Sequence, residues 1–255
     1  MIYLDHAATT PVAREVADTM YDVLLNGSGN PSSQYPYGAA AKKRLETDRA
    51  VIAAALGCKP DELYFTSCGT ESDNWAIRLA AHQNRRVGKH IITTAVEHSA
   101  VLEPCRQLEQ EGYAVTYLAP DRQGNITAQQ VADALREDTA LVSVMLVNNE
   151  TGCVFPVGEI ARLLRERGSR ALLHTDAVQA FLKLPFRADT LGADLISVSG
   201  HKLNAPKGVG AFTGPRSARA SAARRRTGAR PALGHRGHGA DRGLRQGGGA
   251  AAGGL

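Results

Sequence analysis

The sequence predicts an α/β domain: a mainly parallel sheet covered by helices on both faces. Two observations carry that expectation. Short apolar runs alternate with stretches of helical period from about residue 13 to residue 212. Polar, glycine- and hydroxyl-rich clusters follow the ends of those runs, where open parallel sheets bind their ligands. No internal repeat competes with this reading.

Residues 13–25 have the spacing of an amphipathic helix and lead into the turn-rich loop 26–33, Asn-Gly-Ser-Gly-Asn-Pro-Ser-Ser. A second helix is predicted over 38–56, stopping near Gly57. Leu63-Tyr64-Phe65-Thr66 reads as a strand, and 67–72 opens a helix that runs through about 83. A strand at 90–94, a helix at 98–111 and a strand at 114–118 follow. A helix at 127–134 precedes the strand 140–146, and a helix at 157–167 precedes strands at 171–174 and 194–198.

Composition narrows the function classes. The 255 residues are 43% hydrophobic and 22% charged, which suits a soluble globular chain, and no apolar run reaches the length of a membrane span. The N-terminus lacks a secretory pattern, so a cytoplasmic protein is expected. Four cysteines in a chain this long make no disulfide scaffold, and none has metal-ligand spacing with a Cys or His. The net charge of +5 is uneven: residues 213–255 hold nine Arg against one Asp, while 1–212 carry −3. That last segment is rich in Gly and Ala, with Leu233, Leu244 and Leu255 as its large apolar side chains. It reads as a disordered basic tail. A nucleic-acid arm is not expected, because the segment has no aromatic residue for base stacking. Out-of-frame translation of GC-rich DNA explains the composition better. With permitted codons, shifting the frame of 225–235 by one base decodes to Gly-Gly-Gln-Glu-Arg-Gly-Leu-Arg-Ser-Gly.

The strongest chemical signal is Ser199-Gly200-His201-Lys202 directly after an apolar strand. A lysine at a strand end among small residues is partly desolvated, and a Schiff-base lysine needs the lowered pKa that results. Alone, such a lysine is far more often a solvated loop residue. The strand 171–174 leads to Asp176 and Gln179; an Asp there could hold a protonated pyridine nitrogen, or simply cap a turn. Thr66-Ser67-Cys68-Gly69-Thr70-Glu71 joins a strand to a helix start, which suits a phosphate or an ordinary capping box. Glu97-His98 and Asn148-Asn149-Glu150-Thr151-Gly152 follow two further strands, placing a flat ring and amide donors at the same edge. Each signal is weak by itself. Five at successive strand ends are not.

With Tyr3-Leu4-Asp5-His6-Ala7-Ala8-Thr9-Thr10-Pro11 and Thr70-Glu71-Ser72-Asp73-Asn74, these motifs resemble the cysteine desulfurases of the NifS and IscS kind. Those are class V aminotransferase-like enzymes that use pyridoxal 5′-phosphate (PLP). The resemblance covers about 1–212. It implies the fold type I architecture of PLP-dependent transferases, with a seven-stranded, mainly parallel sheet. Residues 1–12 would belong to a small domain and 13–212 to the large PLP-binding domain. It further implies that Lys202 carries PLP, that Asp176 holds the pyridine nitrogen and that His98 stacks on the ring and takes part in catalysis. Gln179 and Asn149 would contact the ring oxygen or substrate. Gly69, Thr70, Ser199 and His201 would bind the phosphate. The family takes sulfur from L-cysteine, leaving L-alanine and a persulfide passed to a scaffold or tRNA-thiolation protein, and it works as a homodimer.

The resemblance also supplies a use for the tail. Family members continue with a Gly-Gly-Gly-Gln-Glu-x-Gly-Leu-Arg-Ser-Gly-Thr stretch, which the frame-shifted tail decodes to. The expectation is therefore a frameshift near 213–224 and a chain without the later small domain, which bears the nucleophilic cysteine and a substrate-binding arginine. Cys68, nearest to the phosphate loop, reads as a buried small residue. An inactive fragment is expected. The alternatives are a non-catalytic PLP-binding remnant and a selenocysteine lyase-like relative.

Overall fold

The computed structural model describes residues 2–214; the Arg-rich segment singled out above lies outside the described residues from 215 onward. Helices α1 (Arg14–Asn26) and α2 (Pro36–Leu56) come first, α2 with proline in its first turn, where a missing amide hydrogen costs nothing. Then β1 (Leu63–Thr66), α3 (Gly69–Gln83), β2 (His90–Thr94), α4 (Ser99–Gln110) and β3 (Ala114–Leu118) alternate. They are followed by α5 (Ala128–Ala134), β4 (Thr139–Ser143), α6 (Val157–Glu166), β5 (Leu172–Asp176), α7 (Ala188–Leu191), β6 (Leu195–Ser199) and β7 (Gly210–Thr213).

The strands form one seven-stranded sheet in the order β1-β7-β6-β5-β4-β2-β3. All pairings are parallel except those of β7, which runs antiparallel between β1 and β6. The expected parallel sheet is therefore present, with one reversed strand that periodicity did not disclose. The strand expected over 140–146 is shorter: ladder pairing stops at Ser143, and Val144 and Leu146 instead donate backbone hydrogen bonds to His174 and Asp176.

Period-two alternation sends neighbouring apolar side chains to opposite faces. Ile91, Leu141, Leu195 and Phe212 pack under α3 and α4 with Ala76, Ile77, Val101 and Leu108. Ile92, Val142, Leu173 and Ile196 join the other core with Leu56, Val131, Ile160 and Leu164 from α2, α5 and α6. On the α3 side the apolar columns turn polar toward the strand ends: Leu141 gives way to Ser143, Leu172 to His174 and Asp176, Leu195 to Ser197 and Ser199. That gradient sets a buried polar layer beneath the edge where the loops converge. Proline at 104 leaves the Ala100 carbonyl without its helical donor, and the Asn74 amide takes that place at 3.4 Å, tying α4 to α3.

Candidate active site

Because β7 is reversed, its first residue reaches the carboxyl ends of the neighbouring strands, Gly210 lying opposite both Thr66 and Ser199. A Cβ on Gly210 would stand 2.6 Å from the Cys68 carbonyl carbon and 2.8 Å from Thr66 Oγ1, so no larger residue lets the β1–α3 loop close over it. That loop is fixed internally. Thr66 Oγ1 donates to the Cys68 carbonyl at 3.1 Å and meets Ser72 Oγ at 2.7 Å, while the Ser67 amide and hydroxyl both donate to Glu71 Oε2 at 2.7 Å. An ordinary capping box is not formed: Cys68 precedes the helix without a side-chain cap, and Glu71 instead receives both bonds from Ser67. Cys68, read as buried, is partly exposed.

Gly69 opens α3, and a Cβ there would come within 3.0 Å of Val178 Cγ2 and 3.2 Å of Ser199 Cβ. Ser199 Oγ, 3.7 Å from that position, is buried with no hydrogen-bond partner. A partnerless buried hydroxyl costs about 1–3 kcal/mol. First-turn amides of a helix have no partner inside it and carry the positive end of its dipole. Gly69, the exposed Thr70, Ser199 and the neighbouring His201 make a donor set that fits a phosphate group.

Lys202 ends a short 3-10 turn after β6. Its Nζ donates to the carbonyl oxygens of Ala7 and, at 2.7 Å, Ala8. Gln179 Nε2 donates to the same Ala7 oxygen at 2.8 Å, and Lys183 Nζ to Gln179 Oε1 at 3.1 Å. The N-terminal segment is laced onto the lysine loop at further points. Thr10 donates to the His201 carbonyl through its amide and its hydroxyl, both at 2.9 Å. His201 Nδ1 lies 3.1 Å from Thr9 Oγ1, and Asn204 Nδ2 donates to the Pro11 carbonyl at 2.9 Å. Partial burial lowers the Lys202 pKa and the Lys183 charge adds to the effect, while Asp176 and Asp5 oppose it. The His201 imidazole is held below its ordinary value by burial and then by Lys202, Lys207 and Lys183.

Asp176, the last residue of β5, is 8% exposed, and its Oδ1 accepts from the Val178 amide at 2.8 Å. Burial and then the Asp73 carboxylate push it up to about 7; the Val178 bond, His174 and His98 pull the other way. His98 caps α4, its Nδ1 accepting from the Ala100 amide at 3.1 Å, and its ring is exposed at the same edge. Asn148 is the buried anchor of the following loop. Its Nδ2 donates to the Val96 carbonyl at 2.9 Å, and its Oδ1 accepts from the amides of Glu150 and Thr151 at 3.0 and 2.9 Å. Asn149 is set beside it, its Nδ2 donating to Glu150 Oε1 at 2.7 Å.

The structure therefore gathers Gly69, Asp176, Gln179, Ser199, His201 and Lys202 at one edge of the sheet. Thr70 and His98 stand on the helix starts that frame it, and Asn149 sits on the neighbouring loop, turned to Glu150. Sequence reasoning gave no role to Ala7, Ala8 and Asn204, which orient Lys202 and its loop, and it counted Asn148 among the amide donors where the structure makes it a loop anchor. It also passed over Asp73, His174 and Glu97 in the buried layer below. The signal for His174 was available, since period two puts it on the same face as Asp176.

The sequence is similar to known proteins over most of the described residues. The family model "Aminotransferase class-V" matches residues 2–234. The cysteine desulfurase IscS of Methanosarcina thermophila is 46% identical over 211 residues, 83% of this chain and 52% of that protein. The cysteine desulfurase of Trichormus azollae is 48% identical over 214 residues, again 83% and 52%. Among solved structures, SspA in complex with cysteine superposes with a TM-score of 0.79 at 40% identity, covering 84% of this chain and 61% of that one. DndA from Streptomyces lividans gives 0.71 at 45%, covering 84% and 59%. The chain spans about half the length of the curated relatives it matches.

Proposed function

Since the chain belongs to the class V aminotransferase family, a PLP-dependent family, we propose that this edge of the sheet is a PLP site built to take sulfur from L-cysteine, as in cysteine desulfurases. One observation carries the reading: a partly desolvated lysine, a buried carboxylate and a phosphate-shaped donor cradle converge there on separate strand ends. Gly69, Thr70, Ser199 and His201 would hold the phosphate, Asp176 the ring nitrogen, and Lys202 the cofactor itself. PLP, when bound, supplies an electron sink for charge developing at the substrate Cα.

The chain's own residues then have distinct tasks. Asp176, buried and raised to about 7, would hold a proton on the ring nitrogen by presenting a carboxylate in a water-poor setting. Lys202, its amine biased toward neutrality, is placed to move a proton at Cα. Gln179, held between Ala7 and Lys183, would contact the ring oxygen or the substrate, and His98, exposed at the start of α4, would stack on the ring. Asn149 stands on the adjoining loop as an amide donor. The persulfide and its transfer to an acceptor protein are part of this proposal.

A second reading, PLP binding without sulfur transfer, is favoured by three of the four cysteines. Burial, then Glu62, pushes the Cys58 thiol up to about 11, and burial, then Glu97, pushes Cys105 to about 12. Neither is a thiolate near neutral pH, and Cys153 Sγ donates to the Gln123 carbonyl at 3.6 Å. The test is to purify the chain with PLP, record its visible absorbance, and assay alanine and sulfide release from L-cysteine, with L-selenocysteine as competitor. Absorbance that vanishes in Lys202→Ala supports the site; a band that persists in the variant refutes the lysine's assignment. Sulfide release dependent on Lys202 selects the first reading, and absorbance without turnover selects the second.

A further inference from the structure

We propose that Asp73 is a positioning residue for Asp176, acting beside His174, and that the two carboxyls share one negative charge that the buried layer presents to a single cationic ring nitrogen. The inference deepens the PLP reading and rests on it. Asp73 lies on α3 and is 1% exposed; its Oδ1 is 3.5 Å from His174 Nε2 and has no hydrogen-bond partner. His174 and Asp176 alternate on β5, so both project toward α3. The imidazole is fully buried and has a hydroxyl at each nitrogen, Ser143 Oγ at 2.8 Å from Nδ1 and Ser197 Oγ at 3.0 Å from Nε2. A hydroxyl can donate or accept, so a neutral ring is satisfied in either tautomer.

Burial holds His174 neutral, at about 4, so it supplies Asp73 with no counter-charge. The other groups facing the pair do not supply one from within the layer. Glu97, from the β2–α4 loop, accepts at Oε1 from Thr94 Oγ1 and the Met145 amide, both at 2.9 Å, and its Oε2 has no partner. Burial raises its pKa well above the ordinary value, which biases it toward the neutral acid. His98 and Lys202 approach Asp176 from the open side. Asp73 and Asp176 are each raised to about 7. Asp73 is raised by burial and Asp176 by burial and then by the Asp73 charge, so an ionised Asp73 holds the proton on Asp176. A cationic nitrogen beside Asp176 draws the charge there, and the proton released by Asp176 stays in the layer on Asp73.

The test follows the carboxyl carbon resonance of Asp176 through a pH titration of the full chain, without and with PLP. In Asp73→Asn the Asp176 midpoint is expected to fall by about one pH unit. The nitrogen-15 resonance of the bound ring should show deprotonation at a correspondingly lower pH. Ser197→Ala removes a hydroxyl that holds the Asp73 pKa down, so Asp73 keeps its proton more firmly and the Asp176 midpoint falls by a smaller amount. If Asp73→Asn does not fold, Ser197→Ala carries the test alone. An Asp176 midpoint unmoved in a folded variant overturns the proposal. A midpoint that moves as expected in a chain that takes up no PLP leaves the coupling standing and overturns the PLP reading.

Discussion

Ser199 is where structural and ligand-binding demands separate most cleanly. Its hydroxyl is buried, partnerless and set against the start of α3, so it contributes nothing to the unliganded fold that a methyl group would not. Ser199→Ala should leave the thermal unfolding midpoint unchanged or slightly raised, because an unsatisfied group is removed. It should weaken PLP binding about tenfold, the value of one hydrogen bond to a charged oxygen. Equilibrium dialysis and a thermal melt on the same preparation check both halves, and equal losses in both would assign Ser199 to the fold alone. Gly210 is the opposite case. Its missing Cβ is a backbone clearance, with Cys68 main-chain atoms at 2.6 and 2.7 Å, so Gly210→Ala should cost about 1–3 kcal/mol, as overpacking does elsewhere. Chemical denaturation measures it, and a loss within ~0.5 kcal/mol would show that the β1–α3 loop can move aside.

At the scale of elements, the alternation of β and α patterns was legible because the buried strand His90–Thr94 and the half-buried edge strand Ala114–Leu118 are both bounded by turn chemistry. The site was legible for a related reason: each candidate residue follows a strand, and a parallel sheet delivers strand ends to one edge. Two things escaped. Gly210–Thr213 is four residues long and begins with glycine, so its pairing depends on the strands it lies between. The buried layer escaped because Asp73 and His174 sit inside a helix and a strand, where polar residues carry no loop signature. Helix α1 illustrates a further limit of pattern reading. Its spacing is amphipathic, yet it buries no side chain among the described residues; Tyr21, Leu24 and Leu25 are 67%, 76% and 62% exposed. A contiguous apolar stripe of this kind promotes self-association. Leu24→Lys combined with Leu25→Glu should lower light scattering at high concentration while moving the unfolding midpoint little. A large drop in that midpoint would mean that the helix packs in solution.

For the molecule as a whole, the buried layer links stability to pH with a sign that can be worked out. Asp73, Glu97 and Asp176 have folded pKa values raised by burial, so the folded state retains protons that the unfolded chain has already released. Stability from these groups is fully present below the unfolded carboxylate range and is lost as pH rises toward the folded values. Burial lowers the pKa of His90, His174 and His201 instead, and these groups oppose that trend, but only below about 6.5, where the unfolded imidazole takes up its proton. Above that pH the histidines are silent and the carboxyls act alone. Between pH 6.5 and 8 the unfolding free energy should therefore fall, by up to about 1.4 kcal/mol per pH unit for each proton still retained. Glu97→Gln isolates one contributor. The amide oxygen can still accept from Thr94 and Met145, and the amide nitrogen replaces an oxygen that has no partner. Urea titrations across that range should show a shallower pH dependence in Glu97→Gln and its relative stabilisation at pH 8. A slope identical to that of the unsubstituted chain would remove Glu97 from the buried proton store and leave the dependence to Asp73 and Asp176.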